Sequence, residues 1–132
     1  MKVGLDTSVV VRLLIGTPEA QCALAWDLVQ TESDAGHPVL VADVVVAEAF
    51  FVLLHHYAVP AVTAVDGIKA LLLDPRIVGE SAKGLWTNRN LRSAPLDFVD
   101  ALIHQHYADA RRSFVTFDRK ASRLPDARLP GV

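Results

Sequence analysis

The chain has 132 residues, 52% of them apolar, with 13 Lys and Arg against 15 Asp and Glu, a net charge of −2 and one cysteine. That length suits a single domain over residues 1–132 with a sizeable core, and a lone Cys22 excludes an internal disulfide and points to a reducing, cytoplasmic setting. The first apolar stretch holds Asp6 and Arg12 and so makes a poor signal-peptide core, while Glu48 interrupts the longest apolar run, 44–54, well short of the ~20 residues of a membrane span.

In chain order, Lys2 to Leu5 reads as a short strand. After Asp6-Thr7-Ser8, the spacing of Val9, Val10, Leu13 and Leu14 predicts a helix that stops near Gly16. Pro18 opens a second helix to about Glu32, with Ala20, Leu24, Trp26, Leu28 and Val29 inward. Ser33-Asp34-Ala35-Gly36 breaks it before a buried strand, Val39-Leu40-Val41. Asp43 is placed to cap the next helix, Val44 to Tyr57, which is apolar almost all round and is therefore expected to be central and covered on more than one side.

Pro60 begins a helix to about Leu73, Asp74-Pro75 turns the chain, Arg76 to Gly79 is a strand, and Ser81 to Asn90 is a polar helix. Asp97 is placed to cap a helix from Phe98 to Ala110. Ser113 to Phe117 reads as a buried strand and 126–132 holds a last one. Strands alternating with helices predict an α/β sandwich built on a mainly parallel sheet.

Four acids sit where acids are costly, within or just after apolar segments. Asp6 follows Val3-Gly4-Leu5, Glu48 interrupts its helix, Asp100 lies in Phe98-Val99-Asp100-Ala101-Leu102-Ile103, and Asp118 follows Phe114-Val115-Thr116-Phe117. In an open parallel sheet the carboxyl ends of strands share one edge, so Asp6 and Asp118 are expected to converge there, with Glu48 and Asp100 projecting from flanking helices. Grouped carboxylates repel unless a cation neutralises them, and an all-oxygen set without Cys or His partners favours Mg²⁺, with Mn²⁺ able to substitute, over zinc. The chemistry that follows is hydrolysis of phosphodiesters.

These segments together resemble PIN-domain ribonucleases and, more narrowly, the VapC-type toxins of type II toxin–antitoxin pairs. The resemblance runs through nearly the whole chain in order, including a closing Arg128-Leu129-Pro130-Gly131-Val132. It implies a three-layer α/β/α sandwich, a Mg²⁺-dependent endoribonuclease, a homodimer, and inhibition by a cognate antitoxin that inserts near the acidic site. Asp6, Glu48, Asp100 and Asp118 match the family's four acidic positions, as catalytic and metal-binding residues. Ser8 stands where the family often has Asn, which puts the local hydrogen-bond network in doubt.

Around the acids, Ser8 and Thr116 are placed to support carboxylates or water, and Asp97 serves first as a helix cap and second as an auxiliary acid. His104 lies one turn after Asp100, but it, His37, His55, His56 and His106 read as surface or satisfied histidines. Residues 1–75 carry a net −6 and residues 76–132 a net +4, with three basic and nine acidic groups in the first part and ten and six in the second. From this set and the first helix, Arg12, Arg89, Arg92 and Arg119 are the candidate RNA contacts, Arg12 having a local ion pair as its alternative. Apolar helix faces at 9–15 or 61–73 are the expected cover for a second protomer or an antitoxin helix. The competing readings are a catalytically idle PIN-like module that binds RNA or protein, and an aspartyl phosphotransfer fold. The latter is disfavoured because Asp6 lacks a second Asp two residues on.

Overall fold

Asp6 ends the first extended segment, and its carboxylate accepts the N–H of Thr7 at 2.8 Å, so the chain turns at once into α1 (Thr7–Ile15). The computed structural model describes residues 1–88 and 98–131. Helix α1 ends at Gly16, whose left-handed φ of 78° lets its N–H reach the Arg12 carbonyl; a side chain there would be strained. Then come α2 (Glu19–Asp34), β1 (Val39–Val41), α3 (Asp43–His56), α4 (Ala61–Leu72) and β2 (Ile77–Gly79). A 3₁₀ turn (Ser81–Gly84), a short α5 (Leu85–Asn88), α6 (Phe98–Asp109), β3 (Phe114–Val115), a 3₁₀ turn (Ala121–Arg123) and β4 (Ala127–Arg128) complete the described elements. Arg89, Arg92 and Asp97 lie outside the described residues.

The fold is mixed α/β and its strands pair in parallel, as expected. Strand β1 pairs with β2, and β3 with β4. The first segment contributes less than the full strand expected. One parallel bridge joins Gly4 to Leu40, with Leu5 N–H donating to the Leu40 carbonyl and Leu40 N–H to the Val3 carbonyl, both at 2.9 Å. This short ladder carries Asp6 at its end, the carboxyl-terminal edge where a ligand is expected. Strand β1 is not buried throughout: Val39 and Val41 are fully covered, while Leu40 points the other way and is 39% exposed, as the two-residue strand period requires.

Helix α3 is central, packing against α1, α4 and α6. Its buried side is the stripe Val46, Ala49, Phe50 and Leu53, with Phe50 5.0 Å from the fully buried Phe98 ring of α6. The opposite apolar stripe stays open, with Val44 73% exposed and Phe51 also exposed, so the helix is less enclosed than its composition implied. Much of the two helix faces expected to await a partner belongs to the core: Val10, Val11 and Leu13 of α1, and Ala64, Val65, Ile68, Leu71 and Leu72 of α4, are buried, while Val9, Leu14 and Ile15 are half-buried and Leu73 is exposed. On α2 the inward residues are Ala25 and Val29, whereas Ala20 is exposed and Leu24 is 70% exposed. Apolar residues spread around that helix, so the spacing alone left its phase ambiguous.

Arg76 ties the turn before β2 to α2. Arg76 donates to both Asp74 oxygens at 2.7 and 3.0 Å and to Gln30 Oε1 at 2.9 Å, and its guanidinium lies 5.0 Å from the Trp26 ring centre. The Arg76 hydrogen bond holds the Asp74 carboxyl below its ordinary value, against a smaller opposing effect of burial. Asp74→Ala is therefore expected to cost about 1 kcal/mol at neutral pH in urea denaturation. A carboxylate with a lowered folded-state pKa stabilises above its unfolded value, near 3.9, and loses that contribution as pH falls through the folded value, so the difference should close in strong acid.

Candidate metal and phosphodiester site

Two of the four acids share a cleft. Asp6, at the start of α1, and Glu48, on α3, line one open cleft of about 390 Å³ together with Thr7, Ser8, Arg12 and His56. The shared cleft follows from packing: α1 and α3 lie against each other, which places the first turn of α1 beside the middle of α3. Both carboxylates are solvent-exposed, and among the described residues neither forms an ion pair. Asp6 spends one oxygen on the Thr7 amide. Two carboxylates in one cleft, without an ion-pair partner among the described residues and flanked by the hydroxyl residues Thr7 and Ser8, make an oxygen-only lining of the kind that hard divalent cations take. The donor chemistry fits such an ion, with Asp6 and Glu48 as the residues that would hold it. Among the described residues, however, no three His, Cys, Asp or Glu side chains are grouped closely enough to hold a metal.

The other two acids do not line this cleft. Asp100 is half-buried in the first turn of α6, where the helix dipole favours an acid. Asp118 is exposed after β3, and its Oδ1 accepts the N–H groups of Lys120 at 2.8 Å and Ala121 at 3.1 Å, a turn cap leading into the 3₁₀ helix. Thr116 serves the same turn: its Oγ1 accepts the Asp118 N–H at 3.0 Å. Ser8, by contrast, stands in the cleft. Arg119 is exposed beside the Asp118 turn.

Arg12 has no ion pair among the described residues. Its Nε donates to Gln21 Oε1 at 2.6 Å and its Nη1 to Tyr57 Oη at 3.0 Å. The local acid expected as its alternative partner is thus replaced by two neutral acceptors. Tyr57, which the sequence did not single out, also lines the cleft, as does His56, expected as a surface or satisfied histidine and indeed exposed. The signal for His56 was present, since Glu48, Val52 and His56 recur every four residues on one face of α3.

Asp43 does not cap α3. It is the first helical residue, 7% exposed, and its carboxylate reaches across to the turn after β2. There it accepts the N–H groups of Ala82 at 2.9 Å and Ser81 at 3.2 Å, and a hydrogen bond from His106 Nδ1 at 2.8 Å. Glu80 returns the contact by accepting the Asp43 N–H at 2.7 Å. His106 is accordingly raised above its ordinary pKa, chiefly by the Asp43 hydrogen bond, with the charges of Asp43, Glu80 and Asp109 adding. His104 is also structural, buried with Nε2 2.6 Å from the Pro125 carbonyl and its ring against Phe114. The Asp43 clamp fixes the end of the helix that carries Glu48 five residues later.

With this geometry in place, comparison with known families is decisive for kinship: residues 3–127 match the PIN domain. The chain belongs to the PIN domain family. PIN domains are generally metal-dependent nucleases, so a nuclease-type function is the family's own expectation for this chain. No curated protein and no solved structure matches it. Among the described residues no helix is long and apolar enough to cross a membrane.

Proposed function

We propose that this PIN domain is a Mg²⁺-dependent endoribonuclease, the toxin of a toxin–antitoxin pair, with Mn²⁺ able to replace Mg²⁺. The observation that carries the reading is the shared cleft of Asp6 and Glu48, two carboxylates without a cationic partner among the described residues. A divalent cation bound there supplies a Lewis acid and a water of lowered pKa. Asp6 and Glu48 would hold it, the Thr7 and Ser8 side chains would offer hydroxyls to a water or a phosphate oxygen, and Arg12 places positive charge in the same cleft. Asp100 and Asp118 join the catalytic set by their match to the family's positions, and Asp97 and Thr116 remain supporting residues. Arg89, Arg92 and Arg119 are further proposed RNA contacts.

The toxin role brings two partners. The open apolar side chains of Leu24 on α2 and of Val44 and Phe51 on α3 suit cover by a second protomer or by an apolar antitoxin segment. A cytoplasmic location follows from the same reading, since RNA and an antitoxin are met there.

A second reading, an idle PIN-like module that binds RNA or protein, is favoured by the lack of a three-residue ligand group among the described residues. One experiment separates the two. The purified protein is incubated with structured RNA and with DNA of the same sequence, in Mg²⁺, Mn²⁺ or EDTA. The nuclease reading predicts internal cuts in RNA with either metal and none in EDTA. Binding of RNA without cleavage under any condition would establish the idle module.

A further inference from the structure

We propose that Arg12 is the anchor for one phosphate of a bound RNA strand, and that Tyr57 and Gln21 are positioning residues that hold it ready without neutralising it. This deepens the nuclease reading and rests on it for the identity of the ligand. An arginine beside two acids ordinarily pairs with one of them, which would remove both the arginine and the acid from ligand binding. Here the guanidinium is tied to an amide oxygen on α2 and a phenol just after α3. Neither acceptor carries charge. Arg12 therefore stands in the cleft without an ion pair among the described residues, as do Asp6 and Glu48.

Two of the five guanidinium N–H groups are spent on these contacts, and three have no acceptor among the described residues. A planar fork of this kind matches the oxygens of a phosphate. Charge balance supports the assignment. An unaided acidic cleft repels a phosphodiester; a divalent cation cancels the two carboxylates, and a fixed arginine then cancels the single charge of the entering phosphate.

The test measures binding rather than turnover. Fluorescence anisotropy of a labelled single-stranded RNA is followed at a fixed concentration of Ca²⁺, which takes the same oxygen donors in place of Mg²⁺, across a range of monovalent salt, for wild type, Arg12→Gln, Arg12→Lys, Tyr57→Phe and the Arg12→Gln/Tyr57→Phe double variant. Loss of one phosphate contact should make the slope of log affinity against log salt shallower by about 0.7 in Arg12→Gln. Arg12→Lys should keep the slope with weaker binding. Tyr57→Phe should weaken binding in the wild-type background and add nothing to Arg12→Gln, because it acts through Arg12.

An unchanged slope and affinity in Arg12→Gln overturns the proposal, as does a lowered melting temperature with unchanged binding, which marks a purely structural tie among α1, α2 and α3. Should Arg12→Gln fail to fold, Arg12→Lys and Tyr57→Phe decide, and wild-type affinity in both overturns it. Failure of the nuclease reading is distinguishable: an anchor that binds RNA as described in a protein that never cuts it leaves Arg12 assigned and the catalysis refuted.

Discussion

Asp6→Asn and Glu48→Gln are each expected to slow RNA cleavage in Mg²⁺ by at least ~10²-fold, the scale of disturbance when a metal site or a transition-state contact loses a charged group. Each substitution keeps the shape of the side chain and removes the charge that a divalent cation requires. Both residues are exposed, so neither variant should lose much stability, and equal melting temperatures would show that the fold is intact. Because the two carboxylates share one cleft, they should act as a unit: the double variant should be little slower than either single one. Rates measured by single-turnover cleavage of an end-labelled RNA check this. Asp100→Asn and Asp118→Asn in the same assay decide whether those positions share the site, since loss as large as for Asp6 would include them and wild-type rates would exclude them.

The second large effect is on stability. Asp43→Ala should cost about 3 kcal/mol in urea denaturation, because the buried amide of Ala82 and the partly buried amide of Ser81 lose their acceptor and His106 loses its charged partner. The loss should also reach catalysis, since the same carboxylate pins the start of the helix that presents Glu48. The histidine gives the effect a pH signature. His106 has a raised folded-state pKa, so its contribution is fully present below the unfolded value near 6.5 and is lost as pH rises through the folded value above it. Denaturation of wild type and His106→Gln should therefore differ most in mild acid and converge in mild alkali.

How much of this was legible in the sequence depended on the range of the contact. Asp6 was readable because strand, acid and helix start are adjacent in the chain, and its carboxylate does start α1. Glu48 stood out as the one charge in an apolar helix, and the face it shares with Val52 and His56 follows from helical spacing. Asp43 was misread as a cap because its partners lie 38 and 39 residues on, in a turn whose approach to α3 only tertiary packing sets. The open stripe on α3 was hidden for a related reason, since an all-apolar helix does not reveal which side its neighbours cover. Convergence of all four acids was inferred from a shared sheet edge, yet β3 and β4 pair with each other while β1 pairs with β2 and the first segment.

Whether the cleft binds a divalent cation through Asp6 and Glu48 is the decisive question. Calorimetric titration of wild type, Asp6→Asn and Glu48→Gln with Mg²⁺, and again with Mn²⁺, measures this without reference to any substrate. The prediction is saturable binding to wild type that weakens at least ~10-fold in each variant. Binding of equal strength in all three proteins, or no saturable binding to wild type, would contradict it.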